Sequence, residues 1–275
     1  MKRICLRTAI IILGAGLYYA CAPAAVEDSV KRNTTFPMGT NVSIIYLHHS
    51  TGACVWAGGV PEWFDAYNAS NQVNYQITER AYPSGSPYPW DNYPYDYWNI
   101  WINHAGDSQY MDEDTLEILT LAYDVIVWKH CFPVSDLFSD PSNVNIISSD
   151  RTIENYKLQY NALKTKMHQF SGNRFIVWTG AARLEANTTP EQATNAYNFF
   201  EWVKDTWDEP GDNIYVWDFR TLETGGGLYL LVTNNDPADP DHPNAAFSQI
   251  VAPFFGQRAV NVILGNGDST GLTGE

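Results

Sequence analysis

Residues 42–52 are Val-Ser-Ile-Ile-Tyr-Leu-His-His-Ser-Thr-Gly, an apolar run that ends in a polar turn. Short apolar runs that are rich in β-branched residues and bounded by turn residues are typical of buried strands. Polar residues that follow such a strand lie at the carboxyl edge of a parallel sheet, where ligands bind. We therefore predict that residues 42–48 form a central strand and that Ser50 lies at a ligand-binding edge.

Similar apolar runs recur along the chain and alternate with segments of helical periodicity. Further strands are predicted at residues 73–78, 125–129, 174–179 and 213–219, and helices at residues 61–69, 113–122, 151–170, 190–207 and 244–262. In the third of these helices, apolar side chains recur at steps of three and four, which gives one stripe to pack on a sheet. The alternation predicts a three-layer α/β/α domain over residues 41–265, built on a parallel five-stranded sheet.

A second polar segment, Asp239-Pro240-Asp241-His242-Pro243, lies near the C-terminus and is the chemical complement of Ser50. A serine hydroxyl is a weak nucleophile at neutral pH, so an imidazole must take its proton and a carboxylate must orient that imidazole. Asp239 and His242 can lie side by side on a short turn, with the second ring nitrogen facing the serine. Ser50, Asp239 and His242 are therefore predicted to form a triad for acyl transfer.

Each part of this triad has a simpler interpretation. A serine that follows a strand is usually a helix N-cap, and Asp-Pro-Asp-His-Pro alone is typical of a polar turn. Asp236 and Asp241 are rivals for the role of the acid. The histidines offer a different site, a catalytic zinc centre, formed by His48, His49, His130 and His242. The serine and the Asp-x-x-His favour the triad, so neither a metal nor a cofactor is predicted.

These two segments resemble the end motifs of the SGNH hydrolases, also called GDSL esterases, and the resemblance covers residues 42–255. His48-His49-Ser50 stands where the family has Gly-Asp-Ser. Residues 125–133 lack the asparagine that the family places after its third strand, so the chain resembles a divergent branch. The resemblance implies a flavodoxin-like sheet of order 2-1-3-4-5, with Ser50 as the nucleophile of a serine esterase.

An esterase also needs fixed N–H groups that point at the developing oxyanion. The backbone N–H of Ser50 is the first candidate. Gly85 corresponds roughly to the glycine of the family's second motif, because it follows the second strand, and Gly58 and Gly59 are its rivals. His130, or its neighbour Lys129, is the candidate third donor at the end of the third strand.

The segment from Tyr82 to Trp101 is unusually rich in aromatic residues and prolines. It follows the second strand and is expected to overhang the catalytic edge. Trp90 and Tyr93 are predicted to stack on sugar rings, and His49 is predicted to contact substrate beside the nucleophile. This interpretation favours a carbohydrate ester as substrate. The alternative is that the rings pack together as a small core beneath a long loop.

The N-terminus has the pattern of an export signal. Residues 1–7 are basic, residues 9–20 are apolar, and Ala22-Pro23-Ala24 offers small residues for cleavage. Residues 1–24 are therefore predicted to be a signal peptide and residues 25–40 a short leader. Cys21 is an alternative site for a lipid anchor. No later stretch has the ~20 apolar residues of a membrane span, so the mature protein is expected to be secreted or periplasmic.

Charge narrows the range of partners. The chain has 16 basic and 31 acidic residues, of which the signal contains three basic ones and no acidic one. The mature protein therefore carries 13 − 31 = −18 formal charges. Nucleic acid is not an expected partner, because phosphate binding relies on clustered lysine and arginine. The negative charge either favours neutral or weakly charged esters, small or polysaccharide, as substrates, or only keeps the protein soluble.

Two cysteines, Cys54 and Cys131, remain after the predicted cleavage. They follow strands that are neighbours in the expected sheet, so they form either a disulfide near the active site or two free thiols. The composite prediction is an exported serine esterase that removes acyl groups from carbohydrate. The alternatives are a carbohydrate-binding protein on a degenerate hydrolase scaffold and, third, a metal-dependent hydrolase.

Overall fold

Five strands form the sheet at the centre of the protein: β1 (Asn41–His48), β2 (Asn74–Ala81), β3 (Val125–Trp128), β4 (Arg174–Trp178) and β5 (Ile214–Trp217). The computed structural model describes residues 36–89 and 91–275, which belong to one compact unit. The order across the sheet is β2-β1-β3-β4-β5, and every pair of neighbours is parallel. The predicted fold class and strand order are confirmed.

Helices cover both faces of this sheet: α1 (Thr51–Ala57), α2 (Val60–Asn71), α3 (Pro94–Trp98), α4 (Leu116–Ala122), α5 (Ile153–Met167), α6 (Pro190–Trp202), α7 (Phe219–Thr224) and α8 (Ala245–Ile263). Successive strand residues point to opposite faces. In β3, Ile126 and Trp128 pack with α3 to α6, whereas Val125 and Val127 pack with α1, α2 and α8. The three predicted layers follow from this alternation.

Several elements depart from the sequence predictions. The fourth predicted helix ends earlier as α6, and its last residues, Val203–Trp207, form a wider π-helical turn. The short helices α3 and α7 were not predicted, and α1 was expected only as a helix start at Ser50. A small antiparallel hairpin, β6 (Asn235–Asp236) and β7 (Asp239–Pro243), replaces the expected polar turn. Short elements carry little periodicity of their own, so tertiary contacts decide whether they form.

Some predictions fall on residues that the structure does not describe. The signal peptide, Cys21, residues 25–35 of the leader and Trp90 all lie outside the described residues. Within residues 36–89 and 91–275, none of the helices combines the length and the apolar character needed to traverse a bilayer.

Candidate active site

Ser50, Asp239 and His242 come together at the carboxyl edge of the sheet. Ser50 follows β1, and the other two residues lie on β7. The Ser50 hydroxyl is hydrogen-bonded to Nε2 of His242 across 192 residues of sequence. Nδ1 of His242 lies 3.1 Å from Oδ1 of Asp239. The structure thus brings the three predicted triad residues into the order hydroxyl, imidazole, carboxylate.

The Ser50 backbone is held in an unusual conformation. Its φ is 51° and its ψ is −111°, a combination that costs a non-glycine residue about 1–3 kcal/mol. The carbonyl of Ser50 accepts hydrogen bonds from the N–H groups of Ala53 and Cys54, which starts α1. The hydroxyl makes no capping bond to α1. Ser50 is thus the N-cap residue of α1 by position, but its hydroxyl is directed to His242 and does not cap the helix.

Lys129 is hydrogen-bonded to both residues that flank Ser50. Its side chain is fully buried, and Nζ donates hydrogen bonds to the His49 carbonyl (2.9 Å) and to Oγ1 of Thr51 (2.5 Å). Burial lowers the pKa of this amine. A buried amine without hydrogen bonds is costly, so these two contacts stabilise the lysine and the Ser50 turn together.

The hairpin owes its shape to Asp241. Its buried carboxylate accepts hydrogen bonds from Nη1 of Arg183 (3.0 Å) and the N–H of Leu184 (2.8 Å), and its own N–H donates to Oδ1 of Asn235 (2.8 Å). With φ at 73°, Asp241 interrupts the regular strand alternation that directs residues three apart to opposite faces. Asp239 can therefore reach His242. Asp241 anchors the hairpin, and its carboxylate is engaged away from the imidazole.

An aromatic contact supports the imidazole from the β3 side. The ring of Phe132 packs edge-on against His242, with 5.2 Å between the ring centroids. The guanidinium of Arg183 lies 4.4 Å from the centroid of the same Phe132 ring and also pairs with Asp136 at 2.9 Å. Arg183 therefore links the hairpin to the loop after β3. No sequence motif pointed to this residue.

Asp239 is the most exposed member of the triad. Its side chain is 69% exposed, compared with 17% for His242. The 3.1 Å contact has the distance of an ion pair, but Nδ1 of His242 makes no aligned hydrogen bond to any described residue. The geometry of a carboxylate–imidazole contact can tighten when substrate binds. Asp236 instead accepts a hydrogen bond from the N–H of Ala238 at 2.9 Å.

Asparagine substitutions should distinguish the role of Asp239, which orients the imidazole, from that of Asp241, which anchors the hairpin. Asp239→Asn is expected to lower kcat by roughly 10- to 10⁴-fold without changing the melting temperature much, because it disturbs the orientation of the imidazole only. Asp241→Asn is expected to destabilise the protein by about 1–3 kcal/mol, because it weakens a buried ion pair with Arg183. Parallel kinetics and thermal denaturation of both variants test this. A larger loss of kcat at constant stability for Asp241→Asn would reverse the assignment.

Two predicted oxyanion donors are turned away from the serine. The Gly85 N–H donates to the buried carboxylate of Glu113, as does the N–H of Ser84 (2.5 Å). His130 is fully buried, and its Nε2 lies 2.9 Å from the Tyr160 hydroxyl of α5. Strand alternation explains this second error, because His130 shares the face of Trp128 while Lys129 faces the serine. Gly85 and His130 are therefore not placed as oxyanion donors.

The Ser50 N–H remains the candidate donor. Among the described residues, no acceptor receives a hydrogen bond from it. The N–H of Gly52 is already committed to the His49 carbonyl at 2.9 Å. Among the described residues, the N–H of Ser50 is thus available to donate a hydrogen bond to an oxyanion formed at its own hydroxyl.

The two histidines before Ser50 have different hydrogen-bond partners. Nε2 of His48 lies 2.7 Å from Oε2 of Glu79, and burial followed by the charge of Lys129 lowers the pKa of His48 to about 3. Nε2 of His49 lies 2.6 Å from the Pro83 carbonyl, and burial lowers its pKa. His49 is half-buried beside Ser50, and its predicted substrate contact stays a prediction. In the described part of the chain, no group of three or more potential ligands is placed to hold a metal ion.

Most described rings of the aromatic segment pack inward. Tyr93 is only 6% exposed and contacts Tyr95 and Tyr156, and Tyr97 and Trp101 are fully buried in the same cluster. These rings are part of the main core on one face of the sheet, together with Ile126 and Trp128 of β3, and do not form a separate small core. Tyr93 is therefore not an exposed sugar platform. The carboxylate of Asp96 orders the preceding loop by accepting hydrogen bonds from two backbone N–H groups and a tyrosine hydroxyl.

Cys54 and Cys131 are free thiols in the structure. Cys131 is buried, and its Sγ lies 3.9 Å from Nζ of Lys129. Cys54 is half-buried on α1, one helical turn beyond Ser50. The sequence left a disulfide and two thiols open, and the structure has two thiols.

No protein-family model matches this chain, and no curated protein is similar enough to be a relative. The functional conclusion therefore rests on the geometry of the site and on the motifs in the sequence.

Proposed function

We propose that this protein is a serine ester hydrolase of SGNH type, from a divergent branch of that family. The observation that carries the proposal is the contact of the Ser50 hydroxyl with Nε2 of His242, with Asp239 on the other ring nitrogen. A serine, a histidine and a carboxylate in this order activate the hydroxyl for attack on an acyl carbonyl. Their position at the carboxyl edge of a parallel sheet is where ligands bind in such folds.

The reaction follows from the positions of these groups. Oγ of Ser50 attacks the ester carbonyl carbon while its proton passes to Nε2 of His242, and the Ser50 N–H donates to the oxyanion. Collapse of the tetrahedral intermediate expels the alcohol, which takes the proton from His242. A water molecule then attacks the acyl-serine, again with His242 as the base, and releases the acid and the free hydroxyl. Asp239 stabilises the imidazolium in both steps.

The net charge of the chain favours uncharged esters. The mature chain carries 18 excess negative charges by the count above, so an anionic substrate is repelled. Acylated carbohydrate remains the proposed substrate class, although the buried aromatic segment no longer supports it. The N-terminal signal pattern supports action outside the cytoplasm, where such polymers occur.

A fluorophosphonate probe tests the proposal directly. Such probes phosphonylate only a serine that an adjacent base has activated. Peptide mass spectrometry of the treated protein is expected to locate one adduct on Ser50 and none on Ser248, which lies on α8. Heat-denatured protein is the control and should remain unlabelled. A native protein that stays unlabelled, or that is labelled elsewhere, would contradict the proposal.

A further inference from the structure

A shallow groove with a volume of about 220 Å³ lies between α1, the hairpin and α8. We name it the α1–α8 groove. Its lining includes Cys54, Ala57 and Gly58 from α1, Asp236 and Pro243 from the hairpin, and Ala245 and Gln249 from α8. Nothing in the proposed mechanism uses it.

Residues close in sequence or register to each of Ser50, Asp239 and His242 line this groove. Cys54 lies one helical turn beyond Ser50 and Ala57 lies about two turns beyond it, so both are on the face of α1 that begins at the nucleophile. Asp236 is the cross-strand partner of Asp239, and Pro243 directly follows His242. The groove therefore lies next to the segments that carry these three residues, along α1 and the hairpin.

The chemistry of the leaving group determines which half of the ester lies there. His242 must return a proton to the alcohol oxygen, so the alcohol has to leave on the side of the imidazole. The hairpin that carries His242 also forms one wall of the groove. Resting on the proposed function, we propose that the α1–α8 groove binds the alcohol half of the ester, a neutral polyhydroxylated ring the size of one sugar.

The composition of the lining supports this class of alcohol. Ala57 and Ala245 leave room because their side chains are small. A Cβ on Gly58 would lie 2.5 Å from the Ser248 carbonyl carbon, so the groove floor is tightly packed. The Asp236 carboxylate accepts hydrogen bonds from hydroxyls and repels anions, and the exposed Gln249 amide both donates and accepts.

The size of the groove limits the ligand. Pockets for drug-sized ligands have volumes of roughly 300–1,000 Å³. A groove of about 220 Å³ is smaller and holds one ring of a polymer rather than a long acyl chain. The remainder of a polysaccharide would extend into solvent.

Groove-filling variants test this assignment with two acetate esters that differ only in the alcohol, methyl acetate and 6-O-acetylglucose. The ratio of kcat/KM for acetylglucose to that for methyl acetate is the quantity to measure. Ala57→Leu and Ala245→Leu are each expected to lower this ratio at least tenfold, because the added side chain occupies the sugar's place. Ala246→Leu is the matched control, since Ala246 is exposed beside the groove without lining it, and should leave the ratio unchanged.

The outcomes distinguish this inference from the proposed function. An unchanged ratio in both groove variants would overturn the groove assignment and leave the esterase intact. A lowered ratio in the Ala246→Leu control as well would also overturn it, because the effect would not depend on the groove. A wild-type protein that hydrolyses neither ester and is not labelled at Ser50 would overturn the proposed function, and this inference with it.

Discussion

Ser50→Ala is expected to lower kcat for ester hydrolysis by at least about three orders of magnitude, because members of a serine triad typically contribute that much. The hydroxyl is hydrogen-bonded to His242 and does not cap α1. Its removal should therefore eliminate the nucleophile without shortening the helix. KM is expected to change much less than kcat, since the substrate is held by other groups.

Three further variants make this result interpretable. His242→Ala is expected to cost about as much as Ser50→Ala, and the double variant should be no worse than either, because the two residues act as a unit. Ser269→Ala is the matched control. Ser269 is exposed, and its hydroxyl bonds only the Asn266 carbonyl. A Ser50→Ala protein that is folded by circular dichroism and retains a tenth of wild-type kcat would exclude the serine mechanism.

Lys129→Met is expected to give the second largest effect, a loss of roughly 100-fold in kcat, because displacement of a reacting atom by about 1 Å can cost that much. Methionine fills a similar volume but cannot hold the His49 carbonyl and the Thr51 hydroxyl. The strained Ser50 turn is then free to relax. KM should change little, and the rate of fluorophosphonate labelling should fall together with kcat.

Matched substitutions separate this positioning role from loss of stability. Thr51→Val removes one acceptor at nearly constant shape and is expected to lower kcat less than Lys129→Met. The effects of the two should be non-additive in the double variant, as expected for contacting residues. Lys164→Met is the control. This half-buried lysine lies on α5 and donates a hydrogen bond to the Trp207 carbonyl at 2.7 Å, so it is a buried lysine that bonds a backbone carbonyl away from Ser50. Equal losses of kcat at Lys129 and Lys164 would indicate a purely structural role.

Much of the fold was predictable because its signals are local. The buried strands are short apolar runs. β3 (Val125–Trp128) is apolar throughout because it is buried on both faces. The long helices α5 and α8 were found from their periodicity, with ends that differ by a few residues. The sequence also predicted that Ser50 and His242 come together, because Ser50 follows a buried strand and the Asp-x-x-His segment lies near the C-terminus.

The errors at the site have a common cause. Gly85 and His130 lie in the expected segments, but their orientation depends on partners far away in sequence, Glu113 and Tyr160. Tyr93 is also in the expected loop, and its contact with Tyr156 buries it. In each case the residue lies in the predicted segment, but its N–H group or side chain points away from the predicted place.

The sequence by itself determined the layered α/β architecture, because apolar periodicity is a property of neighbouring residues, and it limited the proposed triad to Ser50, His242 and a nearby acid. Only the tertiary structure decided that Asp239 rather than Asp241 faces the imidazole, and that Lys129 rather than His130 bonds the residues that flank Ser50. Such choices depend on the left-handed turn at Asp241 and on which face of β3 packs against α5. Contacts between distant segments stabilise these orientations, and no local pattern encodes them.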